Sequence, residues 1–269
     1  MSQKEELIAM MQQLQSYLRS HDVYVTTEEI YDSFREYGLN ENEKGQPITD
    51  VAKKEIYAML EKKTGERKCS FGYEPLNDGW NFFRTNNNSG GTPNYEWKVY
   101  VPIKMEHYGF VVKNIIAFLS DNGIVSECKV SGSMRSDSLV VNLENEGDVT
   151  RVNQYLDSNP SLKSCLGSHQ PFIPDFNGIG VVHGHDEKTS YTERLSGYLA
   201  HYVDVCKEQK RLDLITADGF LESMRNALNS GMVQKPEEIQ QIIEHMDIIL
   251  NGKNYIQQDS QKEGKTFGH

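Results

Sequence analysis

Leu7, Met10, Met11, Leu14, Tyr17 and Leu18 recur at three- and four-residue intervals, which predicts a helix over 3–20. Thr26 followed by Glu29 is a capping-box pair, and Gly38 supplies a natural stop for the helix it starts. A third helix is predicted from near Thr49 to Gly65. The polar stretch from Asn86 to Pro93 then reads as a linker. Beyond it the spacing changes. Tyr95–Ile103 has strand character, and Val111–Leu119 is helical, ended by Asn122 and Gly123. Val125–Ser131 and Ser138–Leu143 read as short strands about a turn near Gly132. A helix over Asp148–Leu156 and a loop with Pro160, Pro171 and Pro174 follow. Gly178–His183 is a strand, and Ser190–Val205, Ala217–Leu228 and Pro236–Leu250 are helices.

This order is not a regular strand–helix–strand series, so the expected class is α+β: a small mixed or antiparallel sheet flanked by helices, with an N-terminal helical region. The regions expected are a helical one over 1–85, an α+β domain over 94–250 and a polar tail over 251–269. With 269 residues, 37% of them apolar, the chain can bury one sizeable core, with or without a helical appendage.

Charge and composition narrow the function. The net charge of −11 disfavours a phosphate-coating surface, so no nucleic-acid partner is expected. No apolar run reaches the ~20 residues of a membrane helix, and the N-terminus lacks the basic-then-apolar order of a secretory signal. A cytoplasmic address without membrane association is the expectation. Cys69, Cys128, Cys165 and Cys206 form no C-x-x-C pair and read as reduced structural thiols.

His183 and His185 could together bind a metal, because alternate positions on an extended segment share one face. A polar loop between strand and helix explains the pair equally well. Gly178-Ile-Gly180 lacks the remaining signature of a nucleotide loop, and no cofactor is expected. In an acidic chain, local cations are more informative. Lys98 falls on one predicted strand, Lys129 on the next, Arg135 in the turn after it, and Arg194 early in the helix that follows Gly178–His183.

Three blocks, Lys98–Gly109, Lys129–Val141 and Gly178–Arg194, in this order and spacing resemble the HopA family of type III effectors. They also resemble its relatives in lanthipeptide and thioamitide biosynthesis. The resemblance covers Trp97 to Val203 and implies a lyase-type fold remotely similar to OspF-type phosphothreonine lyases. Such enzymes eliminate phosphate from phosphoserine or phosphothreonine and leave a dehydroamino acid. The chemistry needs a base for the Cα proton, cations for the phosphate and an acid for the leaving oxygen.

The resemblance implies Lys98 as base and Lys129 and Arg135 as phosphate- or carbonyl-binding groups, with Arg194 a second clamp. Where OspF-type enzymes carry a histidine acid, two residues after the lysine, this chain has Tyr100. His183 is the candidate acid from another strand. Asp137 is expected to orient a basic residue, since a carboxylate repels phosphate. The implied partners are a phosphorylated peptide or protein and a separate kinase that makes it. A non-catalytic phosphopeptide- or protein-binding effector module of the same fold, secreted into a host cell, and a metal-dependent hydrolase on His183 and His185 are the alternatives.

Overall fold

The computed structural model describes residues 2–21, 23–64, 69–71, 79–86, 93–184, 190–231 and 233–252. The chain forms two compact units that are interleaved in sequence. One comprises residues 1–34, 171–174 and 186–269, and the other residues 35–170 and 175–185.

The first unit is helical. It contains α1 (Gln3–Ser20), most of α2 (Thr27–Arg35), α7 (Tyr191–Glu208), α8 (Ala217–Ser230) and α9 (Pro236–Asn251). Ser2 and Glu5 cap the start of α1 reciprocally, as Thr26 and Glu29 do for α2. Ser190 and Thr216 accept N-cap bonds at α7 and α8. Each helix buries one apolar stripe, for example Leu7, Met11 and Leu18 on α1 and Leu195, Leu199 and Val203 on α7. Phe172, from the 171–174 segment, lies 5.2 Å from Phe34 and 6.3 Å from Phe220 between ring centroids. A segment distant in sequence thereby becomes part of this core.

The second unit carries the sheet. Its strands are β1 (Cys69–Phe71), β2 (Trp80–Thr85), β3 (Trp97–Val101), β4 (Ser126–Ser131), β5 (Leu139–Leu143), β6 (Asp175–Phe176) and β7 (Ile179–His183). They pair in the order β1-β2-β4-β5-β3-β7-β6, and every pairing is antiparallel. Its helices are α3 (Asp50–Thr64), α4 (Tyr108–Asp121), α5 (Glu146–Asp157) and the short α6 (Pro160–Lys163). The expected α+β class is therefore observed.

Phe83, Val99, Cys128, Val130, Val141, Leu143 and Val181 alternate onto one sheet face, and all are almost wholly buried. Such a face requires a helical layer. α4 and α5 lie against the sheet and bury Val111, Val112, Ile115, Ile116, Val149 and Val152. α3 approaches α4 closely because position 109 is glycine: a Cβ there would stand 3.0 Å from the Ala52 Cα.

The expected helical region over 1–85 needs correction. It holds α1 to α3, but also β1 and β2, which belong to the sheet. The domain expected over 94–250 is likewise divided, because α7 to α9 belong to the helical unit. Most of the 86–93 linker and of the 251–269 tail lies outside the described residues.

Candidate functional site

β3 presents Lys98 and Tyr100 to one side, because they are two residues apart on an extended strand. Antiparallel register extends that face across the sheet. Lys98 lies opposite Asn142 on β5 and Val182 on β7, and Tyr100 lies opposite Val140 and Gly180. One strand further, Asn142 faces Glu127 and Val140 faces Lys129 on β4. Lys129 in turn faces Phe82 on β2, and Ser131 faces Trp80. Lys98, Tyr100, Asn142 and Lys129 therefore share a face opposite to the apolar one. Lys129 lies two strands from Tyr100, about 10 Å at the usual strand spacing.

Burial changes along this face. Lys98 is 7% exposed, Tyr100 3% and Asn142 2%, whereas Lys129, Phe82 and Trp80 are half-buried. The face is closed around Lys98 and more open towards β2. The Lys129 amine lies 5.5 Å from the Phe82 ring centroid, and the Arg135 guanidinium carbon lies 4.7 Å from that of Trp80. These are cation–π contacts. Because Trp80 and Phe82 lie on the Lys129 side of β2, the stacked guanidinium comes to that side as well.

Arg135 sits in the β4–β5 connection, which is held by many backbone bonds. Ser131 N–H donates to Ser138 O at 2.9 Å, Met134 N–H to Gln46 O at 2.8 Å and Ser136 N–H to Arg35 O at 2.7 Å. The Tyr108 hydroxyl donates to Ser131 O at 2.5 Å, and burial pushes its pKa far up, so it stays a donor. Gln170 donates to Ser136 Oγ at 3.1 Å. Asp137, itself buried, accepts from Arg135 Nε and, at 3.1 Å, from Nη2. This bidentate fork fixes the plane of the guanidinium. Beside the turn lies a cleft of about 360 Å³ walled by Gly38, Pro102, Lys104, Ser136 and Gly167.

His183 and Arg194 come from β7 and α7. His183 lies opposite Trp97, with ring centroids 4.5 Å apart, and so points to the other side of the sheet from Lys98 and Tyr100. Strand alternation separates it from the face on which an acid would be needed, and the assignment of His183 as acid partner of Lys98 is corrected accordingly. Arg194 belongs to the helical unit, where its Nη2 donates to Gln241 Oε1 at 2.7 Å. His185 lies outside the described residues. Among the described residues, no three His, Cys, Asp or Glu side chains are grouped as metal ligands.

Asn142, Trp80 and Phe82 were not expected at the site. Asn142 is the lone polar residue in Leu139–Leu143, otherwise an apolar run. Trp80–Thr85 alternates between the two faces, a signal available once Gly79 is taken as the strand entrance.

No family model matches the sequence, and no curated protein matches it either. Solved structures do. An effector protein from Pseudomonas syringae pv. tomato strain DC3000 is similar with a TM-score of 0.55 and 9% identity, over 88% of this chain and 98% of that one. An effector protein from Pseudomonas syringae pv. syringae strain 61 gives a TM-score of 0.56 at 11% identity, over 83% and 94%. At these identities the likeness is one of fold.

Proposed function

We propose that the chain is a phosphoserine or phosphothreonine lyase acting on a peptide or protein, with its reacting centre on the Lys98 face of the sheet. The observation that supports this most is the placing of a buried lysine and a buried tyrosine side by side, on the face that also carries Lys129. Low-dielectric surroundings are the condition under which a lysine amine works as a base near neutral pH.

The step balances with these groups. The Lys98 amine takes the Cα proton, and the C–H electron pair becomes the Cα=Cβ double bond. The Cβ–O bond breaks with its electrons leaving on oxygen, to which the Tyr100 hydroxyl gives a proton. Lys129 and Arg135 stabilise the charge on the departing phosphate. The products are a dehydroamino acid and phosphate, and a separate kinase supplies the substrate. The likeness to effector proteins supports delivery into a host cell as the route by which the protein meets that substrate.

A second reading, a phosphopeptide-binding module without turnover, is favoured by the position of His183: among the described residues of the sheet strands, none supplies this face with the histidine acid of OspF-type enzymes. The test is phosphate release from a phosphothreonine peptide by wild type and Lys98→Ala. Wild type should release phosphate, and the variant should be slower by about 10²–10⁴-fold while still binding. Binding without release by wild type would replace the lyase with the module, and no binding would remove both.

A further inference from the structure

Asn142 is an unusual residue for its place. It sits at the middle of the sheet in a strand whose other members are all apolar, and only 2% of its surface is exposed. Its Oδ1 has no hydrogen-bond partner among the described residues. A buried, unpaired amide oxygen is costly, and an apolar side chain of similar shape removes that cost. Register places Asn142 between Lys98 on β3 and Glu127 on β4, and cross-strand neighbours have Cβ atoms about 5 Å apart. Glu127 is engaged by Arg84 at 2.8 Å. Register thus puts the Asn142 side chain, with its unpaired acceptor, on the same face of the sheet as Lys98.

We infer that Asn142 is a substrate-positioning residue whose Oδ1 accepts the backbone N–H of the phosphorylated residue, so that the site takes a phosphoresidue held within a peptide chain. This rests on the lyase reading. An N–H is what an unpaired amide oxygen lacks. The neighbouring cation Lys129 disfavours the free ammonium that a lone phosphoamino acid would bring. A bond at the residue's own nitrogen also fixes the Cα–H bond relative to the Lys98 amine. Proton abstraction depends on that alignment.

The test uses the whole chain, Asn142→Leu and the smaller Asn142→Val, with two phosphothreonine peptides that differ only in methylation of the phosphothreonine backbone nitrogen. Three readings are taken: thermal midpoint, peptide affinity and phosphate release as kcat and KM. A variant should keep or raise the wild-type midpoint. Wild type should prefer the unmethylated peptide by about tenfold, the scale of one hydrogen bond, and the variant should show no preference. A clear fall in midpoint in both variants would make Asn142 a structural residue and overturn the inference. So would equal preference in wild type and variant, and in that case continued phosphate release would leave the lyase reading standing. If wild type neither binds nor converts the unmethylated peptide, the lyase reading fails and the inference falls with it.

Discussion

Asp137 grips Arg135 through a two-point fork, Nη2 to Oδ2 at 3.1 Å, with their side chains 6% and 10% exposed. A buried ion pair of this kind is a specification of geometry more than a source of stability. Asp137→Ala should therefore destabilise the protein by about 3–5 kcal/mol, because it leaves a buried guanidinium uncompensated. Replacing both partners, Arg135→Met with Asp137→Leu, should restore much of that stability while phosphopeptide affinity stays lost. Chemical denaturation and calorimetry check the two halves. An Asp137→Ala variant with wild-type stability and affinity would show that the fork orients nothing.

Trp80 and Phe82 hold Arg135 and Lys129 by their ring faces. Trp80→Leu or Phe82→Leu should each weaken phosphopeptide binding by about fivefold, the equivalent of one partly exposed cation–π contact. Trp80→Phe should keep most of the affinity. Binding isotherms, with circular dichroism to verify folding, decide the point. Unchanged affinity in both leucine variants would mean that the rings only cover the sheet.

Much of this arrangement was legible in the sequence, because local periodicity and capping decide it. α1 begins at Gln3 and α9 at Pro236 as the helical spacing and the proline predict. The shared side of Lys98 and Tyr100 follows from their two-residue separation alone. What stayed hidden depends on pairing between distant strands. His183 is parted from Lys98 by the register of β7 on β3, which sets it opposite Trp97. No local pattern encodes that register. β2 was missed because only its pairing with β4 gives Trp80 and Phe82 a common face with Lys129. The division into units was hidden for the same reason: Phe172 joins the helical core through partners at Phe34 and Phe220.

His169 Nε2 donates to Asp175 Oδ1 at 2.7 Å, and Gly178 N–H donates to the same oxygen at 2.8 Å. Burial pushes the Asp175 pKa up, but these bonds outweigh it and hold it below the ordinary 3.8. A carboxyl depressed in the folded state contributes stability that is complete above its unfolded pKa and lost as pH falls through the folded one. Asp175→Asn should therefore be less stable than wild type at neutral pH. The gap should close as pH falls below 3.8. Denaturation midpoints across the acid range check this, and a gap that widens towards acid would contradict it.

Mass spectrometry of a phosphothreonine peptide after incubation with the protein tests the central claim most directly, because elimination and hydrolysis leave different products. Elimination removes phosphoric acid and yields dehydrobutyrine, which then adds a thiol. Hydrolysis restores threonine, which does not. The Lys98 face predicts the dehydrobutyrine product, formed about 10²–10⁴-fold more slowly with Lys98→Ala and formed without added metal. Recovery of threonine, or of the untouched phosphopeptide at saturating protein, would contradict the assignment of this face as a lyase centre.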